Sequence, residues 1–340
     1  MTSKELVSRA IHFRGPARLP FTSSMGETAY NGDTVAIFPD VGVAWWLGGG
    51  GVDEWGCRWE VAPGAKDMGQ VKNVVVERLE EYAEIKIPDA SRPSRYRHWD
   101  GILRRAEAEE KYVTACNGPL LFERMHFLHG FENTLTAVLL EPELTGRFLR
   151  RIAEYHFRTV EYIREHFRGR VHGYRGTDDW GSQAAPLISP AAFRAVFKPV
   201  YADIFRAVHE AGMDAWMHSC GQILPLLDDL IDAGLDVVNL MQPNVLPIPA
   251  LEAFKGRVCF EICADMQNTL LSGTERRVRG EVRAILRHAA HEKGGLIEYQ
   301  PDVMLFEGDG VSRELACACH DEYRRADPYA RRPDGPGGRA

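Results

Sequence analysis

Five short apolar runs, Val171–Tyr174, Ala215–Met217, Asp236–Leu240, Val258–Ile262 and Leu296–Tyr299, separated from one another by helical stretches, constrain this chain more than any other feature. Strands that are apolar along their whole length are buried on both faces, and helices between them imply crossovers and parallel pairing. At least five such units in series favour a (β/α)8 barrel over a doubly wound sheet. The helices carry their own signals. Pro142 opens a segment that reaches Phe167, and Ser189 with Pro190 reads as a cap and first-turn proline for a helix ending near Gly212, kinked at Pro199. Further helices run from about Leu224 to Asp232, stopping at Gly234, and from about Thr274 to His291, stopping at Gly294 and Gly295.

The chain before residue 97 reads differently. Lys4 to Phe13 has helical spacing, and Val43–Gly56 packs three tryptophans around four consecutive glycines. This stretch lacks both the Lys-Ser/Thr ending and the GxGxxG spacing of a phosphate loop. Gln70–Val76 and Tyr82–Ile87 flank an acidic turn and predict a hairpin. The expected organisation is therefore an N-terminal extension over 1–96 (helix, Trp/Gly-rich loop and β-hairpin), a single (β/α)8 TIM barrel body over 97–325, and a disordered tail over 326–340, where proline, glycine and charge replace apolar content.

Charge narrows the function. With 48 acidic and 41 basic residues, a net −7, the chain has no global field to draw it onto nucleic acid or anionic lipid. No run approaches the roughly 18 apolar residues of a membrane helix. Met1–Arg14 is charged where a secretion signal needs an apolar core, so the expected location is the cytoplasm. Seven scattered cysteines, an odd number, fit reduced thiols or a metal site better than a disulfide framework.

The densest chemical signal is Trp216-Met217-His218-Ser219-Cys220-Gly221, an apolar strand running into a turn. Residues two apart on a strand share a face, so His218 and Cys220 point together at the strand's C-terminal end, where barrels build their sites. An imidazole and a thiolate suit zinc, although buried packing also explains such a pair. In Val258–Asp265, Cys259, Glu261 and Cys263 also alternate; Cys263 is placed to supply a third ligand, and the buried carboxylate of Glu261 needs a partner or a role. Asp178, Asp179 and Gln183 in GTDDWGSQ follow a strand and read either as an acid–base pair with a polar neighbour or as surface turn chemistry. Cys317 and Cys319 fall on a terminal helix, where residues two apart face differently. Glu123, His126 and His129, spaced by threes, read either as a group at the barrel mouth or as a polar helix face.

At these residues the sequence resembles the uroporphyrinogen decarboxylase family, which includes cobalamin-linked zinc methyltransferases acting on coenzyme M and related thiols. The resemblance runs from about Glu5 to Gly310 and is strongest over Asp178–Gln242, from DDWGSQ through LISPAAF and WMHSCG to NLMQP; RAIHFRGPARLP, VDEWGCRWE and GGLIEY are weaker echoes. It implies a (β/α)8 barrel. True decarboxylases of the family carry an arginine-bearing segment near the N-terminus, where this chain has PFTSSMGETAY, and a Gly-His pair replaced here by Tyr299-Gln300-Pro301. The methyltransferase branch uses His-x-Cys for Zn2+, matched by His218 and Cys220. Its third cysteine, expected near Gln300, is missing, which leaves Cys263, with Glu298 or Glu261 as runner-up. Asp178, Asp179 and Glu261 are the residues expected in catalysis, and Trp180, Gln183 and Gln242 those expected in cofactor contact. The implied function is zinc-dependent methyl transfer between a small thiol or methyl ether and a corrinoid such as methylcobalamin. The chain has no Asp-x-His-x-x-Gly signature, so the corrinoid is expected on a separate protein. A metal-free decarboxylase acting on a smaller acid is the alternative, and a homodimer is expected on general grounds alone.

Overall fold

The computed structural model describes residues 1–23, 32–41, 50–63, 69–300 and 312–330. In chain order the elements are α1 (Ser3–Ile11), β1 (Phe21–Ser23), β2 (Thr34–Ile37), β3 (Gly51–Val52), β4 (Arg58–Glu60), β5 (Gln70–Val71), α2 (Trp99–Ala108), β6 (Tyr112–Pro119), α3 (Phe122–His129), α4 (Phe131–Leu140) and α5 (Pro142–His166). They continue with β7 (Gly173–Thr177), α6 (Pro190–Val196), α7 (Lys198–Glu210), β8 (Asp214–His218), α8 (Leu224–Asp232), β9 (Val237–Leu240), β10 (Cys259–Ile262), α9 (Thr269–Ser272), α10 (Glu275–Ala289), β11 (Leu296–Gln300) and α11 (Arg313–Arg325). The fold is a (β/α)8 barrel whose parallel strands are β1, β2 and β6 to β11; β3, β4 and β5 form a separate antiparallel sheet. Two of the barrel strands thus come from before residue 97. At three and four residues they are too short to show a pattern in the sequence.

The chain divides into two compact units, one of Met1–Val35, Glu109–Tyr112 and Val237–Ala340, the other of Ala36–Ala108 and Val113–Asp236. In the first, the strand order is β1-β11-β10-β9, with Phe21 beside Glu298, and Ile262 beside both Glu298 and Leu240. Thr2 caps α1, whose Leu6, Val7, Ala10 and Ile11 are buried. Helices α10 and α11 are joined through the buried carboxylate of Glu322, which receives Arg279, Arg283 and Arg325 at 2.8–3.1 Å. The expected disordered tail is fixed over its first residues. Leu19 N–H donates to Asp327 at 2.8 Å, and the Tyr329 hydroxyl, buried, donates to the Gly294 carbonyl at 2.6 Å. Residues 331–340 lie outside the described residues.

In the second unit β7 pairs with β6 and β8, and α5 buries a stripe that includes Phe148, Leu149, Ile152, Tyr155, His156 and Ile163. Ser189 caps α6 as its sequence predicts, and the break at Phe197 sets Pro199 in the first turn of α7, where a missing N–H costs nothing. The predicted hairpin is not formed. Gln70–Val71 pairs with β4, Asn73 ties the same strand by accepting from Arg58 N–H, and Leu79–Glu84 turns in a 3-10 helix that buries Leu79. Tyr82–Ile87 has only two β-branched residues, a weak strand signal. Most of the Trp/Gly-rich loop, residues 42–49, lies outside the described residues. Its end is anchored: Asp53 accepts from the backbone of Trp55 and Cys57, the Trp59 indole and Arg124.

Candidate metal centre

Strands β7 and β8 run parallel with Thr177 opposite His218, so the loops that follow them leave at the same level. The loops are then laced together. Asp178 N–H donates to the His218 carbonyl (3.0 Å), Gly181 N–H to that of Cys220 (3.1 Å), and Gln222 N–H to that of Ser182 (2.8 Å). Trp180 N–H donates to Ser219 Oγ at 3.1 Å, and Cys220 N–H to Asp179 Oδ1 at 2.8 Å. The crossing point allows no side chain: a Cβ on Gly221, whose φ is +76°, would stand 2.1 Å from the Gly181 oxygen, and one on Gly181 would stand 2.3 Å from Gln222 N.

This lacing gathers three donors. Cys220 Sγ lies 3.3 Å from His218 Nε2, which lies 3.5 Å from Asp179 Oδ1, and all three ligand atoms fall within 4.8 Å of one another. Burial, reinforced by the Asp179 and Glu123 carboxylates, pushes the Cys220 thiol far above the ordinary cysteine range. A cation is what such a thiol requires before it can ionise. An imidazole, a thiolate and a carboxylate are together a donor set that zinc accepts, with a position left for a further ligand.

Asp178 points the other way. Fully buried, it accepts from Leu121 N–H and Glu123 N–H at 2.8 Å each and from the Tyr201 hydroxyl, which makes it the anion at the start of α3. Burial raises its pKa to about 6 while these donors pull it down. Asp178 is thus the acceptor that seats the start of α3. Trp180 lies in the same loop. Wholly buried, it stacks on Phe122 at 4.4 Å, packs against Phe193 and Phe197, and donates to Tyr201 at 3.0 Å, so it supports the loop from beneath. Gln183 is exposed just past the glycine crossing.

The remaining sequence candidates belong to the first unit. Gln242 follows β9 and begins a short 3-10 turn. Glu261 is fully buried within β10, in register with Asn239 and Ile297. Cys263 is also fully buried, its thiol raised by burial and then by Cys319 of α11, while Tyr323 of the same helix donates to the Ile262 carbonyl at 3.2 Å. Cys263 therefore packs beneath α11. The donor that the structure gathers with His218 and Cys220 is Asp179.

Residues 51–298 match the family described as uroporphyrinogen decarboxylase (URO-D). The chain belongs to the uroporphyrinogen decarboxylase family. That membership places it among decarboxylases and methyltransferase-like enzymes. No curated protein matches the sequence. Among solved structures the chain is similar to a D-psicose 3-epimerase (9% identity, 87% of this chain and 91% of that one, TM-score 0.40). It is similar also to a 3-keto-D-glucoside 4-epimerase from E. coli (13%, 76% and 98%, 0.41) and an endo-β-1,4-mannanase from Bacillus sp. JAMB-750 (11%, 97% and 92%, 0.41). At such low scores these likenesses bear on no functional conclusion. Among the described residues no helix is long and apolar enough to cross a membrane.

Proposed function

We propose that this member of the uroporphyrinogen decarboxylase family is a zinc-dependent methyltransferase or demethylase, moving a methyl group between a small thiol or methyl ether and a corrinoid carried by a separate protein. The observation that supports this reading is the grouping of Asp179, His218 and Cys220 at the ends of two adjacent barrel strands. A metal-free decarboxylase offers no reason to aim a thiol and an imidazole at one carboxylate. Zinc, when bound, would hold a thiol deprotonated at neutral pH or withdraw electrons from an ether oxygen.

The chain's own residues do the rest. His218 and Cys220 supply nitrogen and sulfur from β8 and its loop, Asp179 supplies oxygen from the loop after β7, and the glycine crossing fixes the two loops against each other before any ligand arrives. Asp178 locks the start of α3 against the same loop. The test is metal content by mass spectrometry of wild type, His218→Ala and Cys220→Ser purified without chelator. About one zinc per wild-type chain, lost in both variants, is the expected result. No zinc in the wild type after reconstitution overturns the reading and leaves the decarboxylase alternative.

A further inference from the structure

Of the three groups spaced along LLFERMHFLHGFE, His129 is occupied in packing, its Nδ1 2.7 Å from the Val76 carbonyl. Glu123 is placed otherwise. It sits in the first turn of α3, 7% exposed, with Thr177 Oγ1 donating to Oε2 at 2.6 Å. Thr177 is the register partner of His218, so Glu123 is fastened to the strand pair that bears the metal donors.

The three carboxyls here have different hydrogen-bond inventories. Asp178 is saturated by two backbone N–H groups and a phenol, and Asp179 is taken by Cys220 N–H and the donor triad. Glu123, among the described residues, is held by one side-chain donor, Thr177. The charged and titratable groups that act electrostatically with Glu123 are Asp178 and Asp179 on the loop after β7, Cys220 on the loop after β8, Tyr201 of α7 and Arg124 on its own helix. Arg124 is engaged elsewhere, 3.1 Å from Asp53 and over the Trp55 ring at 4.8 Å. Burial and the two aspartates hold the Glu123 carboxyl well above the ordinary glutamate range, as adjacent carboxyls of unequal surroundings divide acid and base roles.

We propose that Glu123 is the proton-transfer residue of this centre, giving a proton to, or taking one from, the group held at Asp179, His218 and Cys220. The proposal rests on reading the triad as the substrate-holding centre. In ether cleavage the carbon–oxygen bond breaks, the methyl carbon bonds to the cobalt of a reduced corrinoid through the cobalt electron pair, and the oxygen takes the proton from Glu123. In thiol methylation the ionised fraction of Glu123 takes the thiol proton, the sulfur pair forms the S–CH3 bond, and the Co–CH3 bond breaks with its electron pair left on cobalt.

Two measurements on the full chain test this. Infrared spectra of the metal-free protein at pH 7 should show a protonated-carboxyl band that Glu123→Gln removes; its absence from the wild type overturns the proposal whether or not zinc binds. Zinc-loaded protein is then assayed across pH with methylcobalamin and 2-mercaptoethanol as the probe pair. Glu123→Gln should lower turnover about 100-fold and abolish one limb of the pH profile, with zinc content unchanged. Thr177→Val, which removes a bond favouring the carboxylate, should move that limb to higher pH. A Glu123→Gln variant with the wild-type profile overturns the proposal, whereas a wild type without zinc overturns the metal reading alone.

Discussion

One oxygen of Asp179 receives the Cys220 N–H and also lies 3.5 Å from the His218 ring nitrogen, so this side chain sets the loop and faces the donors at once. Asp179→Asn keeps an acceptor for the amide and removes the charge; zinc affinity should fall roughly 10- to 100-fold in a competition titration, with the fold retained. Cys263→Ser should leave zinc affinity unchanged and lower stability, by about 1–3 kcal/mol for a hydroxyl placed in a fully buried thiol site, read by urea unfolding. Equal zinc loss in Cys263→Ser would sink the assignment of Asp179. His218 and Cys220 were legible in the sequence as a His-x-Cys pair closing an apolar run, although what brings them together is the loop after β8, where Cys220 lies, and not alternation along the strand. Asp179 was visible as a carboxylate and not as a ligand, since nothing in the sequence says that the loop after Thr177 leaves level with the loop after His218. Cys263 and Cys220 look alike on paper, each a cysteine at a strand's end. What separates them is α11, some fifty residues later in the chain, packed over one and not the other.

At the scale of elements, the lacing of the loops after β7 and β8 through Gly181 and Gly221 rigidifies the centre. Gly221→Ala would meet both a forbidden contact with the Gly181 oxygen and a left-handed φ. It should cost several kcal/mol locally and abolish zinc binding while the far-UV circular dichroism of the barrel persists. Gly212→Ala is the control, a positive-φ glycine with open space around its would-be Cβ, and it should cost only about 1 kcal/mol and leave zinc in place. The longer elements follow their sequence signals closely: Ser189, Thr274 and Ser312 each cap the helix they precede, and the five apolar runs all become strands. The failures are short or contested segments. Strands β1 and β2 have too few residues for periodicity, and the expected partner of Tyr82–Ile87, Gln70–Val71, pairs with β4 instead.

For the molecule as a whole, acid acts on the second unit through a buried histidine. His156 is fully buried between the Tyr174 hydroxyl (2.7 Å) and the Leu120 carbonyl (2.9 Å), and burial pushes its pKa down to about 4. The folded state binds this proton less tightly than the unfolded chain. Its contribution is therefore complete above the ordinary histidine pKa near 6.5 and is lost as pH falls through the interval down to about 4, on the order of 3 kcal/mol. Asp178 and Glu123, raised by burial, act with the opposite sign, so the difference between wild type and His156→Gln isolates the imidazole. Denaturant unfolding from pH 7.5 to 4.5 should show His156→Gln less stable at neutral pH and less steeply dependent on pH; parallel curves would refute this. The donors and the groups that seat them, from Leu121 to Gln222, all belong to the unit that ends at Asp236. During synthesis that stretch leaves the ribosome before Val237–Ala340 has been made. On the proposed zinc reading, an ion bound at that moment would hold the loops after β7 and β8 together while the rest of the barrel is still being made, so that metal supply would bear on folding as well as on chemistry.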